Sequence, residues 1–345
     1  MQVHSALDQL PRFRNAVVTI GTFDGVHKGH QQIISRMKAV SRETDGETVI
    51  LTFHPHPRKI VAGASGPVAL LNTLDEKIAL LAAQGIDHLV VIPFTPEFSR
   101  MSADEYITDF LVRYFHPHTI IIGYDHRYGA GRTGDFRLLE QRGPELGFQV
   151  KEIPEQVLDD IKVSSTRIRE ALQNGNPPLA EELLGYPYFF EGTVVKGQQL
   201  GRTLGFPTAN IGVTDEEKLI PGNGVYAVTV EVLDGADAPP SGNAPAPEAP
   251  AFAEGAITLT DVKGPIGAIA PTGAMMNIGV RPTVDGTKRV IEAHLLDYAG
   301  DLYGRTLRIT LRAWLRPEQR FNGLDALKEQ LEKDKQNATN HLFHR

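Results

Sequence analysis

The stretch GTFDGVHKGH, residues 21–30, follows the apolar run Ala16-Val17-Val18-Thr19-Ile20 and precedes a segment with apolar positions at Ile33, Ile34, Met37 and Val40. A β-branched run, a glycine-rich turn and helical periodicity in that order spell strand, turn and helix. A turn of this kind needs glycines; it does not need two histidines. It falls at the carboxyl end of a first strand, where open α/β sheets bind ligands. A helix starting at about Gly29 offers unpaired N–H groups and a partial positive charge to a phosphate. His27 and His30 flank that point. Imidazole N–H groups donate to phosphate oxygens and, when protonated, offset the charge that builds during attack on phosphorus. A lone H-x-x-H reads as two surface histidines. With a strand before it and a helix after it, the loop reads as a phosphate site built from Gly21, Phe23, Asp24, His27, Gly29 and His30.

Outward from this loop the first half alternates strands and helices. Val17 to Phe23, Thr48 to Phe53, His88 to Phe94, Thr119 to Gly123 and Gln149 to Ile153 read as strands. Gly29 to Glu43, Leu74 to Gln84 and Ser102 to Phe115 read as helices, the last opened by the capping box Ser102-x-x-Glu105. That alternation predicts right-handed βαβ units and a doubly wound parallel sheet. Past about residue 185 the pattern changes to short alternating runs: Tyr188 to Lys196, Gly224 to Leu233, Ala274 to Ile278, Val290 to Leu296 and Leu307 to Leu315. These predict a small antiparallel barrel, closed by a helix Leu324 to Lys335 with Leu324, Leu327 and Leu331 on one face. Two domains, 1–184 and 185–345, follow. The Ala/Pro-rich segment at about 234–255 is too poor in large apolar residues to form a core and reads as a surface insertion.

Bulk composition narrows the classes. At 345 residues the chain exceeds the usual single-domain length of about 100–200 residues, so each half can bury its own core. Hydrophobic residues at 41% and charged residues at 22% are average for a soluble protein, and no apolar run approaches a membrane span. The net charge of −7 argues against general affinity for nucleic acid or anionic membranes. The start, MQVHSALDQLPRF, lacks the pattern of a signal peptide, so a cytoplasmic location is expected. With no cysteine, disulfides, thiolate catalysis and Cys-ligated metal sites are excluded. The pairs His54-Pro55-His56 and His116-Pro117-His118 read as loop histidines rather than a zinc site, which takes four ligands. Gly129-Ala130-Gly131-Arg132-Thr133-Gly134 satisfies G-x-G-x-x-G, yet it begins several residues after its strand instead of at the turn, which argues against a dinucleotide fingerprint.

A second phosphate element stands at Ser164-Ser165-Thr166-Arg167-Ile168-Arg169, hydroxyls at a helix start followed by arginines. The run His27-Lys28-Gly29-His30 resembles the signature of HIGH-type nucleotidylyltransferases, and VSSTRIR resembles the ISSTxIR motif of bacterial FAD synthetases. The resemblance implies phosphate contacts from Ser164, Ser165, Thr166 and Arg169, with His27, His30 and Arg169 serving adenylyl transfer. TFHPHP (52–57) and GYDHRYGAGRTGD (123–135) fall where that family lines its nucleotide and flavin pocket, which implies roles for His54, Pro55 and Asp125. His126 and Tyr128 stand where the family usually has phenylalanines.

In the second half GQQLGRTLGFPTANI (197–211) has glycines for close backbone approach, Gly201 and Gly205 among them. Thr208 and Asn210 follow, with oxygens that suit a hard cation such as magnesium. This stretch resembles the PTAN motif of riboflavin kinases, which implies that Thr208 and Asn210 hold Mg-ATP. NIGVRPTVDG (277–286), IEAHLLDYAGDLYG (291–304) and LRPEQRF (315–321) extend the resemblance in order. In the strand Val290 to Leu296, Glu292 and His294 share one face, opposite Ile291, Ala293 and Leu295. The resemblance makes Glu292 the general base and places Arg316 near the flavin. It thus implies a bifunctional enzyme: riboflavin and ATP give FMN, and FMN with ATP gives FAD and pyrophosphate. Two rivals remain: an enzyme in which only the kinase half works, and a non-catalytic flavin-binding regulator.

Overall fold

The structure is a computed structural model that describes residues 1–61, 69–153, 163–197, 200–233, 257–258, 271–283 and 286–343. The insertion expected at about 234–255 lies outside the described residues, as do Gln198 and Gln199. The chain gathers into two compact units, Met1–Ser165 with Ala249–Val262, and Thr166–Glu248 with Lys263–Arg345.

In the first unit β1 (Gln2–His4), β2 (Val17–Ile20), β3 (Thr48–His54), β4 (His88–Pro93), β5 (Thr119–Gly123) and β6 (Gln149–Ile153) form one parallel sheet. Spatial order is β1-β4-β3-β2-β5-β6, with the short strand β10 (Ile257–Thr258) antiparallel at the β1 edge. Successive residues point to opposite faces, and both faces are buried. Val18, Ile20, Val49, Leu51, Val90, Ile92, Ile120 and Ile122 belong to one core layer; Val17, Ile50, Leu89, Val91 and Ile121 belong to the other. The second layer is closed by Ile34, Met37 and Val40 of α1 (Lys28–Glu43) and Leu81 of α2 (Leu74–Ala83). The first is closed by a rod of three consecutive pieces, Ala103–Glu105, Tyr106–Val112 and Arg113–Phe115, whose middle turns are π-helical. Its capping box forms as expected, Ser102 Oγ accepting from Glu105 N at 3.2 Å.

The second unit is a closed barrel in the order β11-β12-β8-β7-β13-β9. Its strands are β7 (Phe189–Val195), β8 (Ala209–Gly212), β9 (Gly224–Val232), β11 (Thr272–Thr283), β12 (Gly286–Leu295) and β13 (Thr306–Arg316). The register sorts the faces. Tyr226, Ala274, Met276, Ile278, Ile291 and Ala293 alternate into the barrel interior; Ala227, Met275, Asn277, Glu292 and His294 face outward. The outward face is roofed by the closing helix α3 (Leu324–Phe343) through Ala338, Leu331 and Leu342. The helix runs well beyond Lys335, and Leu324 is 58% exposed rather than packed. The expected apolar face therefore starts at Leu327, because the first residue of the helix overhangs the barrel wall.

Candidate active sites

The histidine loop is held by strain and by buried polar bonds. Phe23 (φ 48°), Gly25 (φ 88°) and Val26 (φ 37°) all adopt positive φ, so the sharp turn is carried partly by side-chain-bearing residues for which that conformation is costly. Gly21 donates its N–H to Leu51 O at 3.0 Å and lies against the Phe23 ring, so its amide serves the sheet rather than a phosphate. Asp24 is 2% exposed, and its Oδ1 accepts from Leu71 N at 2.9 Å and Asn72 N at 3.4 Å. Its carboxylate staples the loop to the chain before α2, which revises its expected role: an anion already bonded to backbone amides would repel a phosphate.

His27 is the N-cap of α1, its Nδ1 accepting from His30 N at 3.4 Å. The two imidazoles stack with centroids 3.7 Å apart and planes 14° apart. Gly29 packs closely here: a Cβ would lie 3.2 Å from the His27 ring, which would have to shift to admit it. Burial, reinforced by His27 and by the charge of Lys77, holds His30 well below the usual histidine range, and its Nδ1 is buried with no hydrogen-bond partner among the described residues. His30 is thus held neutral at the helix start, an N–H donor before it is a charge. Lys77, on α2, is 7% exposed, and burial pushes it down to about 8 against the pull of Asp24. Nothing in the helix periodicity flagged it.

The VSSTRIR motif opens the helix Ser165–Gln173. Ser165 Oγ donates to Asp24 O at 3.0 Å, which ties the motif to the histidine loop; Ser164 and Thr166 are exposed and Arg169 is half-buried. His54 ends β3 and is joined to Pro55 by a cis peptide bond, and both are half-buried. His56 caps the short helix Pro57–Ile60, its Nδ1 accepting from Arg58 N at 3.2 Å, and His118 Nδ1 pairs with Thr119 Oγ1 at 2.9 Å. No cluster of three metal-ligating side chains occurs among the described residues.

In the 123–135 loop Asp125 is exposed, while Tyr128 is buried, stacks on Tyr106 at 4.9 Å and donates its hydroxyl to Asp135 O at 3.2 Å. A tyrosine therefore fills a phenylalanine's place without an orphaned hydroxyl. Two glycines of the G-x-G-x-x-G look-alike are packing glycines: a Cβ on Gly134 would collide with the Tyr128 ring, and one on Gly129 would lie 2.8 Å from the Ala103 backbone, while Gly131 has room but sits at φ 64°. Burial pushes His126 down to about 4.

On the barrel, Gly201 and Gly205 shape the PTAN approach. A Cβ on Gly201 would strike Phe206 O, whose residue also donates its N–H to Gly201 O at 2.8 Å, and Gly205 sits at φ 86°. The motif then enters β8, where Asn210 is the direct cross-strand partner of Glu292, which is in turn opposite Asn277 on β11. Directly opposite residues share a face, so the amide, the carboxylate and the second amide form one row. A cavity of about 270 Å³ opens beside two members of this row, Asn277 and Glu292, and is lined also by Thr208, His294, Phe321, Leu327 and Leu331. A second cavity, of about 520 Å³, is lined by Arg202, Pro207, Tyr298, Asp301 and Tyr303, and Thr208 lines both. His294 Nδ1 donates to Pro207 O at 2.8 Å and steadies the motif.

Two charges on the first cavity, Arg281 and Asp334, carry no signal in the sequence reading. Arg281 binds Glu292, one terminal nitrogen lying 3.0 Å from each carboxylate oxygen. Arg316 lines the cavity as expected, but its guanidinium grips the 1%-exposed Asp334 of the closing helix, with Nε 2.9 Å from Oδ1 and a terminal nitrogen 2.6 Å from Oδ2. Its first duty is to hold the roof on. Only the distant closing helix reveals this, so no local motif could have shown it.

Comparison with known proteins agrees with both halves. Residues 10–167 match the FAD synthetase family and residues 184–342 the riboflavin kinase family. A bifunctional riboflavin kinase/FMN adenylyltransferase of Escherichia coli K12 is 38% identical over 96% of this chain and 94% of its own length. The corresponding protein of Pseudomonas fluorescens is 35% identical over 97% and 96%. A solved structure described as a macrolide-efflux protein from Streptococcus pneumoniae superposes with a TM-score of 0.77 at 26% identity, covering 98% of each chain. Among the described residues no helix is long and apolar enough to cross a membrane. The parallel sheet with its histidine loop and the closed barrel with its Asn210–Glu292 row thus occur together, in order and over nearly full length, and the chain belongs to the bifunctional riboflavin kinase/FMN adenylyltransferase family.

Proposed function

We propose that the two reactions of this enzyme, phosphorylation of riboflavin to FMN and adenylylation of FMN to FAD, are divided along the chain: residues 185–345 act as the kinase and residues 1–184 as the adenylyltransferase. The observation that carries the first assignment is the Asn210–Glu292 cross-strand pair, with Thr208 in the wall common to both cavities. The 270 Å³ cavity, walled by Phe206, Phe321, Leu327 and Leu331, suits a flat flavin ring; the larger one suits ATP. Riboflavin's 5′-hydroxyl then lies by Glu292, which takes its proton as the oxygen attacks the γ-phosphorus. The new O–P bond forms while the bond to the β-phosphate oxygen breaks and ADP leaves.

A magnesium ion fits this donor set. The Thr208 hydroxyl and Asn210 amide are neutral oxygen donors that leave room for phosphate oxygens and water, and Gly197 runs so close to the Asn210 side chain that a Cβ there would clash with it. When bound, the ion would neutralise phosphate charge. In the adenylyltransferase the FMN phosphate attacks the α-phosphorus of ATP and pyrophosphate leaves. His27, His30 and Arg169 supply N–H donors, the N-terminus of α1 supplies its dipole, and Gly29, Ser164, Ser165 and Thr166 complete the phosphate cradle. His54, Pro55 and Asp125 border the flavin or nucleotide at the carboxyl ends of β3 and β5. Small molecules are the proposed partners, nucleic acid is not, given the net charge of −7, and the cytoplasm is the proposed location.

Chromatography of products tests the division. His30→Ala is expected to lower FAD formation about 100-fold or more while leaving FMN formation, and Glu292→Gln to do the reverse when FMN is supplied. Loss of both activities from either change in a folded protein refutes the assignment.

A further inference from the structure

The ion pair between Arg281 and Glu292 is not explained by the sheet. Glu292 already has a direct partner in Asn277, and Arg281 stands opposite Lys288, four positions farther along β11. At about 3.4 Å per residue its Cα is offset by roughly 14 Å, so the arginine must fold back along its own strand to reach the carboxylate. A pair meant only to join β11 to β12 would use opposed residues. Both side chains line the same cavity, and they remain 42% and 21% exposed, so the pair is weak and exchangeable rather than a buried tie. The other guanidinium on this cavity, Arg316, is committed to Asp334.

We propose that Arg281 is a catalytic residue of the kinase: its guanidinium contacts the transferred γ-phosphoryl group and stabilises the charge spread over its oxygens as ADP departs. The inference rests on Glu292 receiving the hydroxyl proton. A hydroxyl within hydrogen-bond reach of Glu292 brings the phosphorus it attacks next to that carboxylate, and Arg281 nitrogen lies 3.0 Å from both Glu292 oxygens. As the nucleotide brings its charge, the weak pair exchanges: Arg281 turns its planar N–H groups to phosphate oxygens, for which bidentate geometry suits it, and the carboxylate is left to the hydroxyl. Bonds made and broken are those of the kinase step, with the hydroxyl proton on Glu292 and the electron pair on the ADP oxygen. The arginine adds electrostatic stabilisation of the transition state, supplied from the same chain.

Steady-state kinetics of the full chain with riboflavin and ATP tests this, with FAD formation from supplied FMN as the control for folding. Arg281→Gln is expected to lower kcat for FMN formation by about 100- to 1000-fold with the riboflavin KM within about threefold. Arg281→Lys should retain an intermediate rate, and millimolar guanidinium should partly restore Arg281→Ala. A kcat for Arg281→Gln that is unchanged or raised overturns the proposal, leaving the pair as a restraint on the base. So does a change confined to KM, or a loss that neither lysine nor guanidinium relieves. If Glu292→Gln keeps full kinase activity, the assignment of the base fails instead, and Arg281→Gln then reads out independently.

Discussion

Lys77 shows what a single residue costs and why it is kept. A cation held at 7% exposure, with its proton affinity pushed down to about 8 from 10.5, destabilises the folded state wherever it stays charged. The unfolded chain binds that proton more tightly, so the penalty is full below pH 8 and is relieved as pH rises from about 8 toward 10.5. Lys77→Met is therefore expected to stabilise the protein by about 1–3 kcal/mol at pH 7, with the gain shrinking toward pH 10; denaturant midpoints at the two pH values check the sign. The same change should lower FAD formation, because Lys77 sets the field at His30 and Asp24. A variant that gains no stability at pH 7 would mean that the buried charge is already compensated. This residue was invisible in sequence: within LDEKIALLAA it occupies an unremarkable helical position, and only the fold buries it within the field of His30 and Asp24.

At the scale of elements, the closing helix is fastened by a buried ion pair. Asp334 is 1% exposed and receives Arg316 and Gln330, so removing its charge leaves a guanidinium without its partner at the cavity wall. Asp334→Asn should cost about 3–5 kcal/mol of barrel stability and raise the riboflavin KM, since Leu327 and Leu331 would lose their fixed position, while FAD formation from FMN is spared. Thermal melts followed alongside both activities measure it; a raised FMN KM for FAD formation would contradict it. Elements differ in how plainly the chain announces them. Strands β2 to β5 were legible because burial on both faces demands unbroken apolar runs, and the helices against them because one face must stay apolar. Strand β8 was missed: four residues after Pro207 carry no alternation of their own, and only β7 and β12 on either side make them a strand. The β11–β12 hairpin was cut short for a related reason. Gly279, Arg281 and Pro282 look like loop, but their pairing is supplied by the neighbouring strand, and with it comes the reach of Arg281 to Glu292.

At the scale of the whole molecule, two core systems follow from two periodicities: helical spacing between buried runs in the first unit, and strict alternation in the second. Motif order carried the functional reading because each motif sits where its unit leaves backbone groups unpaired or a cavity open, at a helix N-terminus in one and along an outward barrel row in the other. The product of one chemistry, FMN, is the substrate of the other, and that has a consequence for paired knockouts. His30→Ala is expected to retain the kinase and Glu292→Gln the adenylyltransferase, so an equimolar mixture should convert riboflavin to FAD although neither protein alone should. The time course should show a lag in which free FMN rises and then falls, because the second enzyme works at the concentration the first has released. With wild type at the same total concentration the lag should shorten only by the twofold gain in each active site, provided FMN is released to solution between steps. A mixture that made FMN but no FAD, with FAD forming from added FMN at the normal rate, would show that the intermediate is not shared through solution. It would leave the division of labour intact and replace free exchange with transfer inside one chain.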